Sequence, residues 1–282
     1  MTKKIKALAA DIDMTLVTKG GKLMPLTKKA LETLHEQGVM LGLASGRPVD
    51  WRMKANAQKW DLDFDFDFLI GMNGGELWDS RHDGIADFNI MSKETIRDIC
   101  TMIKPLVDDG TIYNGRVYEG DSMCCLHIDE FMIASSERND TPMIDAHDDL
   151  YRLAENDNFK MMFFYKWPED NKKVYDYLNA HADPRWQCFD TVRGSLEICD
   201  PHINKGTALT AFGERNNIDI EDVIAFGDMD NDNEMLEAAG WGVALLNGGE
   251  KTKSIADEVT EYDVLNDGVG HYLYDHGYVE QD

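Results

Sequence analysis

The chain has 282 residues, 43% of them hydrophobic, which is enough for one large domain or two modest domains around a sizeable core. Its 53 acidic and 28 basic residues give a net charge of -25, which argues against nucleic-acid phosphates and anionic membrane surfaces as partners. The sequence shows neither a signal region nor an apolar run of membrane-spanning length, and its five cysteines fit no zinc-binding spacing. We therefore expect a cytoplasmic protein with free thiols. The sequence does not determine whether it is a monomer or a dimer.

The first predicted strand, residues 5–10, ends in two carboxylates, Asp11 and Asp13, separated by one residue. A short apolar run bounded by polar residues is typical of a buried strand in a parallel sheet, and open α/β sheets bind ligands at the carboxyl ends of such strands. The pair admits two interpretations, an acidic loop or a site for a divalent cation, because like charges repel unless a cation lies between them.

The next predicted elements are a helix with Thr27 as its N-cap and a buried strand over residues 39–44. A strand, a helix and a strand at this spacing predict a right-handed βαβ unit. The second strand ends in Ser45, Gly46 and Arg47, which supply a hydroxyl donor, a close backbone approach and a cation. This segment is either an ordinary turn or a seat for an oxyanion.

A third parallel strand is predicted over residues 68–71, after a helix over residues 51–59. The acidic stretch between them, residues 61–67, is interpreted as a solvated loop or as the entry to the strand. Asn73 follows the strand as a turn residue in the left-handed conformation, and its amide is also a candidate ligand-facing group.

From residue 84 the pattern changes, which predicts an inserted α+β domain over residues 84–189. Its first element is a helix with Ser92 as N-cap that runs to Ile103 and is ended by Pro105. The other elements predicted there are strands over residues 112–118, 122–131, 160–165 and 187–199, and helices over residues 141–155 and 171–181. The core is accordingly discontinuous, with residues 1–83 and 190–282.

The first pattern then resumes with a helix that begins at Lys205 and a short strand, residues 223–226, that ends in Asp228, Asn231 and Asp232. A helix over residues 233–239 and strands over residues 241–245 and 258–260 complete the predicted elements. The predicted fold class is therefore α/β, a doubly wound, Rossmann-like parallel sheet with the inserted α+β domain.

Three strand ends thus bring carboxylates and a hydroxyl to one edge of the predicted sheet, and Lys205 heads a helix that can approach the same edge. Mg²⁺ suits the carboxylates, while the ammonium and the hydroxyl suit a phosphate. One carboxylate can act as a nucleophile, and a second carboxylate two residues later can act as an acid and a base. The sequence contains no P-loop, no G-x-S-x-G and no H-E-x-x-H motif.

Four motifs in this order resemble those of the haloacid dehalogenase-like hydrolase superfamily. The closer resemblance is to its Cof-type phosphatases, which insert an α/β cap between the second and third motifs. The motifs are residues 11–16 (DIDMTL), 44–48 (ASGRP), 204–206 (NKG) and 227–236 (GDMDNDNEML), and the last closely matches the family's G-D-x-x-N-D-x-x-M-L. The resemblance covers essentially the whole chain.

The resemblance implies a Mg²⁺-dependent phosphatase that hydrolyses small phosphomonoesters, with sugar phosphates as the expected class, through an aspartyl-phosphate intermediate. Asp11 matches the nucleophile and a metal ligand, and Asp13 matches the general acid/base, whose main-chain oxygen is the second metal contact. The resemblance also implies Asp228 as a metal ligand, Ser45 and Lys205 at the phosphate, Asn231 and Asp232 as a pair that contacts the phosphate and supports Lys205 or metal-bound water, and Thr15 in support of the loop. Gly46, Arg47 and Asn73 are further candidates at the phosphate from their positions after the second and third strands.

One position departs from the family pattern, because Met14 stands where glycine is usual. The loop therefore either needs no left-handed residue at this position or is altered there. Two other functions stay open, a phosphosugar mutase of the same superfamily and a non-catalytic phosphate-binding or switch protein.

The inserted domain is expected to close over the site as a cap and to select the leaving group. Against a net charge of -25, a cation on the cap would help to hold an anionic substrate. The candidate selecting residues are polar or aromatic: Tyr113, Asn114, Arg116, Lys160, Tyr165 and Lys166.

Overall fold

The computed structural model describes residues 4–18, 21–165, 170–190 and 194–280. The chain divides into two compact units, a core unit of residues 1–88 and 204–282 and an inserted unit of residues 89–203. Both boundaries lie later than the predicted 84 and 189. The reason is strand pairing, because residues 86–87 pair within the core sheet and residues 195–199 pair within the inserted sheet.

The strands and helices account for most of the described residues. The strands are β1 (Ala7–Asp11), β2 (Met40–Ala44), β3 (Phe68–Gly71), β4 (Glu76–Asp79), β5 (Ala86–Asp87), β6 (Ile112–Glu119), β7 (Ser122–Cys125), β8 (Met143–Asp145), β9 (Lys160–Tyr165), β10 (Gln187–Asp190), β11 (Ser195–Cys199), β12 (Val223–Gly227), β13 (Trp241–Ala244) and β14 (Glu258–Val259). The helices are α1 (Pro25–Glu36), α2 (Trp51–Lys54), α3 (Asn56–Lys59), α4 (Lys93–Asp108), α5 (Glu130–Asn139), α6 (Asp170–Ala180), α7 (Lys205–Asn216), α8 (Asn233–Ala238), α9 (Glu250–Ile255) and α10 (Gly268–Asp275). Among them, no helix combines the length and the apolar composition that a bilayer crossing requires.

The core unit is built on one sheet with the strand order β14-β13-β12-β1-β2-β3-β4-β5. The strands from β14 to β3 run parallel, and β4 and β5 are antiparallel additions at one edge. The chain adds β2 and β3 on one side of β1 and later adds β12 and β13 on the other side. This confirms the predicted doubly wound α/β core and places the reversal of strand order beside β1, where such sheets bind ligands.

The β1 strand is fully buried because helices cover both faces of the sheet. Leu8 and Ala10 pack in one apolar cluster with Leu31 of α1 and Leu273 of α10. Ala7 and Ala9 face a second cluster that includes residues of α7 and α8. Burial of each leucine in these layers contributes about 1.5–3 kcal/mol, so the strand that carries Asp11 lies in the most constrained part of the unit.

The start of α1 differs from the prediction that Thr27 is its N-cap. The helix begins at Pro25, and Met24 in the N-cap position offers no side-chain hydrogen bond. Asp267, from the far end of the chain, instead accepts hydrogen bonds from the backbone N–H groups of Leu26 and Thr27, both at 2.7 Å. A cap supplied from such a distance in sequence leaves no local signal.

The inserted unit has a largely antiparallel sheet with the strand order β10-β11-β9-β6-β7-β8. Residues of α4 and α6, including Ile99 and Val174, pack in one apolar cluster with strand residues such as Met161 and Phe163. Ser92 is the N-cap of α4, as predicted, because its hydroxyl accepts a hydrogen bond from the Thr95 N–H group. Strands and helices in this arrangement form the α+β architecture that the sequence predicts.

Several element predictions inside this unit are wrong. The α4 helix continues through Pro105 to Asp108, because a proline close to the C-terminus removes only the hydrogen bond of its own nitrogen. The predicted strand over residues 122–131 ends at Cys125, and α5 follows with Asp129 as its N-cap. The predicted helix over residues 141–155 is instead the β8 strand and a 3₁₀ turn. The predicted strand over residues 187–199 is two strands, β10 and β11, and residues 191–193 lie outside the described residues.

Candidate active site

The strand register of the core sheet brings the predicted strand ends together. Asp11, the last residue of β1, is paired with Ala44 of β2, so that Ser45 follows directly beside it. On the other side, Ala10 is paired with Phe226 of β12, and Asp228 comes two residues later. The three strand ends predicted from the sequence therefore share one edge of the sheet.

Lys205 lies at the centre of this edge and is completely buried. Its Nζ atom donates hydrogen bonds to Asp11 Oδ1 at 2.6 Å and to Asp232 Oδ1 at 2.5 Å. The lysine is the first residue of α7, and the preceding Asn204 caps the helix by accepting a hydrogen bond from the Thr207 N–H group at 2.8 Å. The predicted approach of Lys205 to the carboxylates is thus present in the structure.

Two glycines allow the start of α7 to reach this position. Gly74 has a φ of +103°, and a Cβ atom at this residue would lie 2.0 Å from the carbonyl oxygen of Asn204. A Cβ atom at Gly206 would lie 2.2 Å from the carbonyl oxygen of Glu234 in α8. Any side chain at either position would push α7, and Lys205 with it, away from the carboxylates.

Three buried carboxylates surround the lysine. Ligand atoms of Asp11, Asp228 and Asp232 all lie within 4.8 Å of one another. Asp232 also accepts hydrogen bonds from the N–H groups of Asp228 and Met229, at 2.9 and 3.1 Å. Asp232 therefore supports the loop, while Asp11 and Asp228 are left with an excess of negative charge.

The pKa values of the cluster reflect this excess. Burial raises the pKa of Asp11 to about 8, against the attraction of Lys205, and Asp232 and Asp228 add to the rise. Burial and the nearby Asp232 raise the pKa of Asp228 to about 6. Burial by itself would lower the pKa of Lys205, but Asp11 and Asp232 raise it above its ordinary value. Lys205 therefore stays protonated. Because three carboxyl groups face this one ammonium, the site can accept a further cation.

Thr15 and Asp13 lie on the loop that follows Asp11. The Thr15 hydroxyl donates a hydrogen bond to Asp228 Oδ1 at 3.0 Å, which ties this loop to the end of β12. The Asp13 side chain is 53% exposed, and its Oδ2 atom lies 2.5 Å from Arg47 Nη2. Arg47, like Lys205, is thus a predicted phosphate-binding residue that binds an acid of the protein.

The polar groups after β2 and β3 form a connected network. The Asn73 N–H group donates to the Ser45 carbonyl at 3.1 Å, and the Arg47 N–H group donates to Ser45 Oγ at 3.2 Å. Asn231 donates its amide N–H to Asn73 Oδ1 at 3.2 Å, which links this side to the loop after β12. Gly46 lies against Asn73, because a Cβ atom there would be 3.1 Å from Asn73 Oδ1. Asn73 has a φ of 56°, which confirms the predicted left-handed turn.

Met14 also adopts the left-handed conformation, with a φ of 71°. The loop therefore keeps the backbone shape that glycine would favour, at a cost of about 1–2 kcal/mol for a residue with a side chain. Its N–H group donates to the Val17 carbonyl at 2.8 Å. Its carbonyl accepts a hydrogen bond from Asn247 Nδ2 at 2.9 Å.

Asn247 is a residue of this site that the sequence analysis did not identify. It follows the β13 strand at the same edge of the sheet, three residues after Ala244. A polar side chain after a fifth parallel strand was the available signal, but nothing in the local sequence links it to Met14. The contact depends on the order of the strands in the sheet.

Comparisons with known proteins agree with this geometry. Residues 8–273 match the model of a family described as haloacid dehalogenase-like hydrolase. The chain is 28% identical to an HMP-PP phosphatase of Cronobacter sakazakii, over 94% of this chain and 93% of that protein. It is 25% identical to a 5-amino-6-(5-phospho-D-ribitylamino)uracil phosphatase of Bacillus subtilis, over 97% of this chain and 98% of that protein.

A solved structure described as a sugar phosphatase of subclass IIB of this superfamily has the same fold. It superposes with a TM-score of 0.78 at 21% identity and covers 97% of this chain and 100% of that chain. The family match spans the β1, β2, α7 and β12 elements that assemble the cluster around Lys205. The chain therefore belongs to the haloacid dehalogenase-like hydrolase family, as an enzyme of its Cof-type phosphatase branch.

Proposed function

We propose that this enzyme is a Mg²⁺-dependent phosphatase that hydrolyses small phosphomonoesters, with sugar phosphates as the substrate class, through an aspartyl-phosphate on Asp11. The observation that carries the proposal is the buried group of Asp11, Asp228 and Asp232 around the single ammonium of Lys205. Buried charges that are not balanced are costly, so such a group is suited to a cation and an anionic substrate that arrive together.

The carboxylates fit a magnesium ion. Mg²⁺ is a hard cation that takes oxygen ligands, and one or two carboxylates together with a phosphate commonly hold it. Asp11 and Asp228 would provide the carboxylate oxygens, and the family resemblance adds the main-chain oxygen of Asp13. When bound, the ion supplies positive charge that screens the phosphate from the carboxylates and polarises the phosphoryl oxygens.

In the first chemical step, a carboxylate oxygen of Asp11 attacks the phosphorus atom. The bond between phosphorus and the alcohol oxygen breaks, and Asp13 gives its proton to the departing oxygen. Asp13 is the candidate for this role because it lies two residues after Asp11 on the same loop and its side chain is 53% exposed.

In the second step, a water molecule attacks the phosphorus atom of the aspartyl-phosphate. Asp13 takes a proton from this water, inorganic phosphate leaves, and Asp11 returns as a carboxylate. We expect Lys205 to stabilise the charge of the transferring group in both steps and Ser45 and Asn231 to donate hydrogen bonds to it.

The inserted unit is proposed to select the leaving group, and the structure narrows the candidate residues. Asn114 is fully buried and donates to the His127 carbonyl and to Asp129. Lys160 is buried and paired with Glu197. Both side chains therefore have structural partners, and we no longer expect them to bind substrate.

Arg116 is the strongest of the remaining candidates. Its guanidinium is half-buried and contacts the Met123 and Met162 sulfur atoms and the Ser135 hydroxyl. Among the described residues, no carboxylate lies within ion-pair distance of it. Tyr113 is half-buried, Tyr165 packs in the helix-covered cluster, and Lys166 lies outside the described residues.

Release of inorganic phosphate from a panel of phosphorylated metabolites tests the proposal. With Mg²⁺, we expect sugar phosphates to be hydrolysed with one phosphate released per alcohol formed and without a bisphosphate activator. Turnover that needs a bisphosphate and returns an isomeric sugar phosphate would indicate a mutase. Phosphorylation of Asp11 without turnover would indicate a switch protein.

A further inference from the structure

We propose that Asn247 is a positioning residue for the general acid/base, because it holds the left-handed peptide of Met14 that follows Asp13. This inference rests on the proposed phosphatase chemistry, in which Asp13 protonates the leaving oxygen. It assigns a role to a side chain that touches neither the cluster around Lys205 nor the phosphate-binding network.

The Asn247 side chain connects two segments that are remote in sequence. Its Nδ2 atom donates to the Met14 carbonyl at 2.9 Å, and its Oδ1 atom accepts from the Val264 N–H group at 2.9 Å. Val264 is buried at the start of the 3₁₀ turn Val264–Asn266. One amide thus ties the loop after β1 to a packed part of the core unit.

The Met14 peptide needs such a partner because methionine disfavours the conformation it has here. The φ of 71° would suit glycine, whereas a side chain makes the left-handed region unfavourable. The Met14 N–H group is already held by the Val17 carbonyl at 2.8 Å. Asn247 holds the other end of the residue, so both polar groups of Met14 are fixed.

The neighbours of Met14 explain why this matters for the reaction. Asp13 precedes it and carries the proposed proton donor, and Thr15 follows it and hydrogen-bonds to Asp228. A rotation of the Met14 backbone would turn the Asp13 side chain relative to Asp11 while Thr15 stays anchored. Small displacements of a catalytic group reduce rates strongly, because proton transfer requires hydrogen-bond geometry.

Two substrates with different leaving groups separate this role from a general loss of structure. An alkyl phosphate needs protonation of its leaving oxygen, whereas 4-nitrophenyl phosphate has a stable leaving anion and depends less on the acid. For Asn247→Ala we expect kcat/KM with an alkyl phosphate to fall about tenfold, which is the scale of one lost hydrogen bond. With 4-nitrophenyl phosphate we expect kcat/KM to fall no more than about twofold.

Two further variants identify which contact is responsible. Asn247→Asp keeps the acceptor for Val264 and loses the donor to Met14, so we expect a selective loss similar to that of Asn247→Ala. Asn266→Ala removes an exposed asparagine from the same 3₁₀ turn, where it hydrogen-bonds to Asp263 at 2.8 Å. This control should keep both activities within about twofold of the unaltered enzyme.

A double-mutant cycle with Met14→Gly tests the link to backbone conformation. Glycine adopts the left-handed region without a penalty, so the loss caused by Asn247→Ala should shrink from about tenfold to about twofold in this background. Circular dichroism verifies that each variant is folded. If Asn247→Ala does not fold, the two substrates are compared with Asn247→Asp instead.

The outcomes are distinct. If the unaltered enzyme releases phosphate, three results would each overturn the inference. These are equal losses of kcat/KM on both substrates, unchanged rates in Asn247→Ala, and a loss of the same size in the Met14→Gly background. An unaltered enzyme that hydrolyses neither substrate nor any phosphorylated metabolite would instead refute the proposed function, and the inference would fall with it.

Discussion

The core unit and the inserted unit each bury a lysine, and the two sites differ in their charge balance. In the inserted unit, Lys160 on β9 pairs with Glu197 on β11 at 3.0 Å, and the two side chains are 7% and 4% exposed. This pair sets one ammonium against one carboxylate. In the core unit, Lys205 shares its single charge with Asp11 and Asp232, and Asp228 completes the group of carboxylates.

We interpret the difference as that between a structural ion pair and the proposed catalytic site. A balanced buried ion pair contributes little net stability to the folded protein, because the attraction between the charges roughly offsets the cost of removing them from water. Well-packed apolar residues can often replace it. An unbalanced group lowers its negative charge either by taking up protons, as the raised pKa values of Asp11 and Asp228 reflect, or by binding a cation. Burial of a lysine is common to both places, and only the ratio of the charges distinguishes them.

The largest effect is expected at the nucleophile. Asp11→Asn removes the attacking carboxylate, so phosphate release should fall by about 10⁴-fold or more. The same change lowers the excess negative charge, so the melting temperature of the metal-free protein should rise. Phosphate release and thermal unfolding, measured on the same preparations, test both expectations.

Asp11→Ala serves as the control, because an asparagine can deamidate back to aspartate. Substantial hydrolysis by both variants would remove Asp11 from the nucleophile role. The site around Lys205 could then no longer be distinguished from the Lys160–Glu197 pair by a catalytic role.

Matched variants of the two lysines test the comparison directly. Lys205→Met should lower kcat/KM by at least about 10²-fold, the scale of one electrostatic donor in a dry site. Lys160→Met should change kcat/KM less than about tenfold but should destabilise the protein by about 3–5 kcal/mol, because the buried carboxylate of Glu197 loses the Lys160 ammonium. Steady-state kinetics and denaturant unfolding give the two quantities.

A second substitution in the inserted unit should restore the stability that Lys160→Met removes. Adding Glu197→Leu to Lys160→Met replaces a pair by apolar side chains and should restore most of the lost stability. If Lys160→Met instead abolishes activity in folded protein, Lys160 belongs to the substrate site and the distinction between the two lysines is wrong.

Metal addition should affect the unbalanced site alone. Chelation by EDTA should stop turnover, and Mg²⁺ should restore it while Ca²⁺ should not, because calcium prefers a larger and looser set of ligands. Mg²⁺ at 100 times its Kd should stabilise the folded protein by about 2.7 kcal/mol. Asp228→Asn should lose most of this gain, whereas Lys160→Met should keep it. Full activity of metal-free protein would contradict the proposal.

The smallest predicted effect is a dependence of stability on pH in metal-free protein. The folded-state pKa of Asp228, about 6, lies above its ordinary value of 3.8, so the folded state binds more protons than the unfolded state between these values. The contribution of Asp228 to stability is therefore present below pH 4 and is lost as the pH rises through 6.

Asp228→Asn isolates this contribution from other titrations. The variant should become more stable than the unaltered protein as the pH rises from 4 to 7, by at most about 3 kcal/mol. Unfolding free energies measured at intervals of one pH unit in EDTA test this. A constant difference between the two proteins would show that Asp228 does not carry the excess charge.

Much of the core and its site could be predicted from the sequence because the relevant signals are local. The carboxylates of Asp11 and Asp228 directly follow short apolar runs, and parallel strands bring such ends to one edge. Lys205 begins its helix at the predicted residue because Asn204 caps it. In each case, neighbouring residues determine the feature.

The features that were missed depend on contacts between remote segments. Asp267 caps α1 and Asn247 holds Met14, and neither partner can be found from spacing along the chain. The prediction for residues 122–131 failed for another reason, since a short apolar run fits either a strand or a buried helical turn. Tertiary contacts decide such cases.

The interrupted core has a consequence for the order in which the protein takes shape during synthesis. The β1 strand lies between β2 and β12, and β12 begins only at Val223, after the whole inserted unit. The sheet of the inserted unit, in contrast, is formed entirely by strands between Ile112 and Cys199. As the chain leaves the ribosome from its N-terminus, the inserted sheet has all its strands while β1 still lacks a neighbour. The segment that contains Asp11, the proposed nucleophile, therefore emerges well before β12 and reaches its final surroundings only after β12 has been made.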